Sequence, residues 1–343
     1  MSARQPFHQV RIAEVVAETA DAVSLVLAIP DEAAAEFAYR PGQFLTVRVP
    51  HPGGATVARC YSLSSAPGID EHLKITVKRV PGGHASNWIC DRAGPGTVLE
   101  ILPPAGLFTP DSLGGDLLLL AGGSGITPVM SILKSALAEG RGRIQLLYAN
   151  RDECSVIFGA ELRDLEAWSA GRLHVEHWLD AAGGPPTAAR LIPILAPFAD
   201  REVFICGPEP YLAVARETLG QLGVPSRRVH VERFQSLLEN PFEPEPAGPA
   251  PERVATAEVM LDGRTHRLPW PARTRLLDLL ISAGLNPPFS CRQGICGACA
   301  CRIVRGKVDL VHNEVLEDED FAEGYTLACQ ALPASDTVTI TYS

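Results

Sequence analysis

Hydrophobic positions over residues 7–110 recur in short runs rich in β-branched side chains, at 10–17, 22–28, 44–49 and 74–80. Turn-formers separate them, notably Pro50-His51-Pro52-Gly53-Gly54 and Pro81-Gly82-Gly83. Runs of this length between Gly/Pro clusters predict a small antiparallel β-barrel or sandwich, with one helix over 85–92. From about residue 111 the rhythm changes. Buried-type strands at 116–121, 144–148, 174–179 and 202–206 alternate with helical segments at 128–138, within 155–169, at 187–194 and at 209–222. That alternation predicts a doubly wound α/β parallel sheet, closed by a last strand at Val229-His230-Val231. Residues 238–252 carry five prolines and no periodicity; they read as a semi-rigid linker between two complete units, although a long internal loop is the other possibility. Beyond it, 254–261 and 265–268 flank Asp262-Gly263, a type I′ hairpin signal. Thr274 reads as the N-cap of a helix ending at Gly284, and short strands close the chain at 338–341.

The 343 residues suggest two or three domains. The boundaries expected are a β-barrel domain at 1–110, an α/β domain at 111–237, the linker at 238–252 and an α+β domain at 253–343. A net charge of −10 argues against nucleic acid or an anionic membrane as partner. The longest apolar run, Leu117-Leu118-Leu119-Leu120-Ala121, is too short to span a bilayer. The first residues, Met1-Ser2-Ala3-Arg4-Gln5-Pro6, lack the apolar core of a signal peptide.

Nine cysteines change the picture. Cys291, Cys296 and Cys299 are spaced C-x4-C-x2-C, and Cys329 follows after 29 intervening residues. This is plant-type [2Fe-2S] spacing: one loop wraps three thiolates around the cluster and a distant segment supplies the fourth. Gly294 and Gly297 suit a loop that needs positive φ and close approach of backbone to sulfide. A structural zinc site would be read from paired C-x2-C units, and only one such pair is present. Cys301 lies outside the loop spacing. The other cysteines (Cys60, Cys90, Cys154, Cys206 and Cys301) are odd in number and scattered, so a disulfide framework is not expected and a reduced cytoplasm fits.

Upstream stretches suit the supply of electrons. Arg59-Cys60-Tyr61-Ser62 places an arginine that can pair with phosphate, a tyrosine that can pack on a flavin and a serine that can bond its ring edge; a satisfied arginine and a core tyrosine are the plain alternative. Gly82-Gly83-His84-Ala85-Ser86 opens a helix whose free N–H groups suit a phosphate, or is a simple turn with a capping serine. Gly122-Gly123-Ser124-Gly125-Ile126-Thr127-Pro128 joins the first strand of the α/β segment to its helix. It is not G-x-G-x-x-G, yet its glycines let a dinucleotide approach the backbone, as they would equally serve a tight βα turn. Cys206-Gly207-Pro208 follows a strand whose carboxyl end faces the ligand crevice; a lone Cys there can also be an inert buried thiol.

In this order the motifs R-x-Y-S, G-G-x-x-S, G-G-x-G-I-T-P and C-G-P resemble the ferredoxin-NADP reductase superfamily. With a C-terminal plant-type ferredoxin domain of β-grasp fold, the chain resembles the reductase components of multicomponent oxygenases. Residues 59–67, 203–208 and 312–320 are most similar to the 3-ketosteroid 9α-hydroxylase reductases, and the phenylacetyl-CoA epoxidase reductases share the domain order. The resemblance implies FAD held by Arg59, Tyr61 and Ser62, with Ser62 near the flavin N5, and with Gly82, Gly83 and Ser86 at the pyrophosphate. It implies a nicotinamide nucleotide on Gly122, Gly123, Gly125, Gly207 and Pro208, bracketed by Thr127 and Cys206. Glu232 and Phe234 match the family's acidic and aromatic positions, Phe234 as a shield for the isoalloxazine or as inter-domain packing. Ser62, Cys206 and Glu232 are the candidate catalytic residues. Arg151 could meet a 2′-phosphate, but Asp152 and Glu153 would repel one and Gly159 is not basic, which favours NADH over NADPH. The implied activity is electron transfer from NADH through FAD and the [2Fe-2S] cluster, ligated by Cys291, Cys296, Cys299 and Cys329, to a terminal Rieske-type oxygenase. The acidic run Glu314, Glu317, Asp318, Glu319, Asp320 and Glu323 either docks that partner or is a solvated helix face. The chain has no Rieske pattern of its own. A cytoplasmic monomer is expected. A non-catalytic flavin module with a zinc or redox-sensing cysteine domain is the alternative from a different class.

Overall fold

The computed structural model describes residues 7–243 and 254–342; the 244–252 part of the expected linker lies outside them. Gln9–Pro104 and Phe108–Ser236 form one compact unit, and the described residues from Leu237 onward fall in a second.

The first unit begins with β1 (His8–Thr19), β2 (Ala22–Ala28), β3 (Phe44–Pro50), β4 (Thr56–Ser62), β5 (Leu73–Lys78), α1 (His84–Arg92) and β6 (Val98–Ile101). The strands run in the order β4-β3-β6-β1-β2-β5. An antiparallel bridge between Leu63 and Ile75, just beyond β4 and within β5, joins the two edges, and Ser64 N–H donates to the Lys74 carbonyl at 2.7 Å. The sheet therefore closes into a barrel, and closure removes the unpaired edges. Its interior is filled by alternate residues of the predicted runs, among them Val10, Ile12, Leu25, Leu27, Leu45 and Val47, all fully buried. Strand β6 was not anticipated, because Val98–Ile101 is too short for its period to stand out.

The same unit continues with β7 (Leu117–Gly122), α2 (Ile126–Glu139), β8 (Ile144–Asn150), α3 (Gly159–Trp168), β9 (Leu173–Leu179), α4 (Asp180–Gly183), α5 (Ala188–Leu195), β10 (Glu202–Cys206), α6 (Glu209–Gln221) and β11 (Val229–Glu232). The five strands are parallel, in the order β11-β10-β7-β8-β9. Leu117 and Leu119 face one core, and Leu118 and Leu120 the other. Burial on both faces explains why β7 is a continuous apolar run rather than an alternating one.

The second unit holds β12 (Val254–Leu261), β13 (Arg264–Pro271), α7 (Leu276–Ser282), β14 (Ala300–Arg305), β15 (Val308–Leu310), α8 (Asp318–Ala322), β16 (Tyr325–Leu327), β17 (Ala331–Pro333) and β18 (Thr337–Thr341). Its main sheet runs β13-β12-β18-β14-β16. The first and last strands, β12 and β18, pair in parallel at the centre, and α7 buries Leu276, Leu277 and Leu280, the arrangement of a β-grasp. The Asp262-Gly263 turn has both residues at positive φ, 52° and 71°, as a type I′ turn requires. The expected Thr274 cap is corrected: the N-cap is Arg275, without a side-chain cap, while the Thr274 carbonyl accepts from the buried Trp270 Nε1 at 2.7 Å.

Candidate active site and cluster ligand set

In the parallel sheet the chain leaves β7 through α2 towards β8 on one side, and leaves β10 through α6 towards β11 on the other. Adjacent strands whose connections diverge create a crevice at their carboxyl ends. Gly122-Gly123-Ser124-Gly125 and Cys206-Gly207-Pro208 both sit there. The two turns touch: a Cβ on Gly125 would lie 2.0 Å from the Cys206 carbonyl oxygen, and one on Gly207 would lie 3.1 Å from Gly122 Cα. Only glycine tolerates this approach. The ring of Tyr211 packs against Gly122 and Gly207, and its buried hydroxyl has no hydrogen-bond partner among the described residues. Sequence reasoning missed Tyr211; its place three residues after Pro208, on the first turn of α6, was the available signal.

The helix after the glycines starts at Ile126, two residues ahead of the expected Pro128. Thr127 is buried, and its hydroxyl donates to the Ser124 carbonyl at 3.0 Å, fixing the turn. Pro208 caps α6. Cys206 and Glu232 are register partners at the ends of β10 and β11. Burial pushes the Glu232 carboxyl up to about 7, against the pull of the Arg233 N–H. Burial, and then Glu232, push the Cys206 thiol well up. The pair is therefore a neutral thiol beside a carboxyl able to hold a proton near neutrality. Phe234, just past β11, is about half exposed.

Arg151 follows β8, and its guanidinium bonds Asp21 at 3.1 Å and Ser155 at 3.3 Å. Asp152 caps the next turn, accepting from the Ser155 N–H at 2.9 Å and hydroxyl at 2.8 Å, and Ser155 first, then Arg151, hold its carboxyl below the usual range. Gly159 opens α3. Lys78, at the end of β5, brings its Nζ to 4.0 Å from the Cβ position of Gly123. Lys78 and Asp21 were not foreseen, because nothing in sequence ties a barrel turn to a glycine loop a hundred residues later.

On the barrel, β4 carries Arg59, Tyr61 and Ser62, paired with Val47, Leu45 and Phe44. Period-two alternation puts Arg59 and Tyr61 on one face and Ser62 on the other. Burial pushes the Tyr61 phenol up, and Ser62 is buried. Arg59 donates to the Ala58 carbonyl at 2.7 Å. Gly82 is at φ 70°, and Gly83 is the N-cap of α1, with no side-chain cap. The Ser86 hydroxyl accepts the Val80 N–H at 3.1 Å, so it braces the turn before the helix instead of capping it. The uncapped first turn of α1 leaves backbone donors that fit an anionic diphosphate.

In the second unit the residues after α7 have no regular structure up to Ala300, and the cysteines lie in this loop. Gly294 has φ 75°, and a Cβ there would sit 2.7 Å from the His312 carbonyl oxygen. The thiols neighbour one another in two pairs, Cys291 with Cys296 and Cys299 with Cys329, and all four are free. Cys296 and, against the push of burial, the backbone N–H groups of Gln293, Ile295 and Cys296 hold the Cys291 thiol below the usual thiol range. The Cys329 N–H lies 3.4 Å from Cys299 Sγ, and Gln330 Nε2 lies 3.6 Å from Cys329 Sγ. Among the described residues no group of three or more His, Cys, Asp or Glu forms a single-ion site. Four neighbouring thiols lined with N–H donors suit two irons with two thiolates each. Cys301 lies apart in β14, buried, its thiol pushed up to about 12. In the acidic run, Glu317 and Asp320 form a capping box on α8 and Glu314 bonds His312 at 3.0 Å, so part of the run has a local structural task.

Fold and site thus define an FAD- and NAD-binding oxidoreductase with an appended iron–sulfur domain. Residues 9–109 match the oxidoreductase FAD-binding domain, 119–217 the oxidoreductase NAD-binding domain and 259–334 the 2Fe-2S iron-sulfur cluster binding domain. The ferredoxin reductase component of 3-ketosteroid-9-alpha-monooxygenase from Mycobacterium tuberculosis is 52% identical over 341 residues, covering 97% of this chain and 95% of that protein. A 1,2-phenylacetyl-CoA epoxidase component from Escherichia coli is 31% identical, covering 98% of both chains. Phthalate dioxygenase reductase, described as a modular structure for electron transfer from pyridine nucleotides to [2Fe-2S], superposes with a TM-score of 0.58 at 26% identity, covering 98% of each chain. The chain belongs to the family of the 3-ketosteroid-9-alpha-monooxygenase ferredoxin reductase components. Among the described residues no helix is long and apolar enough to cross a membrane.

Proposed function

We propose that this protein takes electrons from NADH and delivers them singly to the terminal oxygenase of a 3-ketosteroid 9α-hydroxylase. The observation that carries the reading is the presence in one chain of a switch-point crevice between touching glycine turns and of two N–H-lined thiol pairs. The choice of a steroid oxygenase follows the mycobacterial relative. Bound FAD converts a two-electron donor into single electrons, and the cluster passes them on. The chain's own residues do the placing. Arg59, Tyr61 and Ser62 hold the flavin, and Gly82, Gly83 and Ser86 shape the turn that presents the α1 amides to its diphosphate. Gly122, Gly123, Gly125, Gly207 and Pro208 let the nicotinamide nucleotide lie against backbone, with Thr127 and Cys206 on either side and Arg151 towards the ribose. Glu232 can hold or give up a proton beside Cys206, and Phe234 would shield the flavin. Cys291, Cys296, Cys299 and Cys329 bind the irons.

The reading carries the domain limits 1–110, 111–237 and 253–343 around a 238–252 linker, and a monomer in the cytoplasm, where NADH is supplied and thiols stay reduced. A visible spectrum tests it. Flavin bands that bleach with NADH, together with sulfide-to-iron charge-transfer bands, are expected; a colourless cysteine domain or a flavin indifferent to NADH would sink it. Reconstitution with a 3-ketosteroid oxygenase, set against a phenylacetyl-CoA epoxidase, tests the partner.

A further inference from the structure

The crevice contains one arrangement that the proposed roles leave unused. In a doubly wound sheet the residues just past the second strand decide whether a ribose 2′-hydroxyl or a 2′-phosphate is accepted. Here that strand is β8, and the residues are Arg151 and Asp152. Asp152 is committed to Ser155 and does not face the guanidinium as a hydrogen-bond partner. The acid that does meet Arg151 comes from the barrel: Asp21 Oδ2, in the turn between β1 and β2, lies 3.1 Å from Arg151 Nη2. The same oxygen lies 3.8 Å from Lys78 Nζ, the ammonium that reaches Gly123. Asp21 is itself held in place, since its other oxygen accepts the Thr19 hydroxyl at 2.8 Å and its N–H lies 3.3 Å from the same hydroxyl. One anchored carboxylate thus engages both cations that line the path from the glycine turn to the ribose end.

We propose that Asp21 is the residue that sets the preference for NADH over NADPH, acting through Arg151 as a positioning residue. A 2′-phosphate needs a free guanidinium fork. It would have to break the Asp21 pair and would then lie beside the displaced carboxylate, whereas a 2′-hydroxyl leaves the pair intact. From sequence, Asp152 and Glu153 carry the discrimination; in the folded protein the acid bonded to the Arg151 guanidinium is a residue of the flavin barrel. This inference rests on the reading of the crevice as the nicotinamide-nucleotide site.

The test compares the full-length flavoprotein with Asp21→Asn, Asp21→Glu, Arg151→Ala and the Asp21→Asn/Arg151→Ala double variant. Two quantities are read: the NADPH-to-NADH ratio of kcat/KM for flavin reduction, and the ratio of dissociation constants for 2′,5′-ADP and 5′-AMP by calorimetry. Asp21→Asn is expected to raise the preference for the 2′-phosphate roughly threefold to tenfold in both, the range of an exposed ion pair exchanged for a charge-assisted phosphate contact. Asp21→Glu keeps the charge and keeps the NADH preference. In the Arg151→Ala background Asp21→Asn adds nothing. A general loosening of the turn would weaken 5′-AMP and 2′,5′-ADP alike and would not move their ratio. An unchanged ratio in Asp21→Asn, or the same gain without Arg151, overturns the proposal. Failure of NADH to reduce the flavin of the unsubstituted protein would instead overturn the functional reading, and the calorimetric ratio, which needs no turnover, would still decide the role of Asp21.

Discussion

The crevice at the ends of β7, β10 and β11 draws on residues from 122 to 232, whereas the cysteine loop takes three of its four thiols from the nine residues 291–299. The crevice works by leaving side chains out: Gly122, Gly125 and Gly207 let two turns touch, and the space beyond them is shaped by backbone. The loop works by putting donors in, with each sulfur fixed by neighbouring N–H groups. A site built from absence should fail on an added methyl group, and a site built from donors should fail when one atom is exchanged.

The sharpest break is Cys329→Ser. With one thiol of the Cys299 pair gone, reduction of one-electron acceptors should fall to background, while stopped-flow bleaching of the flavin by NADH continues. If both fall together in a folded variant, the two regions are not in series. Gly125→Ala is the counterpart in the crevice. Its Cβ would meet the Cys206 carbonyl at 2.0 Å, and the forced shift should cost about 1–3 kcal/mol and slow NADH-dependent bleaching about a hundredfold, leaving the cluster spectrum unchanged.

Glu232 gives a subtler contrast, because no carboxylate is among the proposed cluster ligands. Its pKa rises from 4.5 to about 7 on folding, so between those values the folded state binds more protons than the unfolded one. The contribution of this group to stability is fully present below pH 4.5 and is lost as pH rises through 7, by about 3 kcal/mol. Melting temperatures of Glu232→Gln across this window should show that decline removed; an unaltered profile would show that the carboxyl is not buried as described. The smallest effect is expected for Gly294→Ala. Positive φ and the nearby His312 carbonyl should together cost about 1–2 kcal/mol, read as a lower melting temperature with the charge-transfer bands retained. Loss of those bands would mean that the cysteine loop also depends on backbone approach.

The cysteine loop was legible as a motif because Cys291, Cys296 and Cys299 are near neighbours whose spacing the sequence displays directly. The turns after β7 and β10 were legible as separate glycine motifs, and the alternation of strands and helices fixed the sheet type. Helix ends were less so: Thr274 has the chemistry of a cap, yet α7 starts one residue later, with Arg275 at the N-cap, while the Thr274 carbonyl holds the Trp270 indole. Tyr211 was easy to miss because a tyrosine on an amphipathic helix is ordinary core material, and only its place three residues after Pro208 hinted that its ring meets Gly122 and Gly207.

Local spacing and periodicity determined the barrel runs, the parallel sheet, the hairpin at Asp262-Gly263 and the close spacing of Cys291, Cys296 and Cys299, since each depends on interactions within a few residues or on a repeat that sequence displays directly. The strand order β11-β10-β7-β8-β9, the contact of Gly125 with Cys206, the pairing of Cys206 with Glu232 and the engagement of Arg151 by Asp21 were decided only by the tertiary structure. Each joins residues at least 26 positions apart. Which partner a side chain finds at such separations is set by how the packed layers bring strand ends together, and a linear pattern carries no record of that.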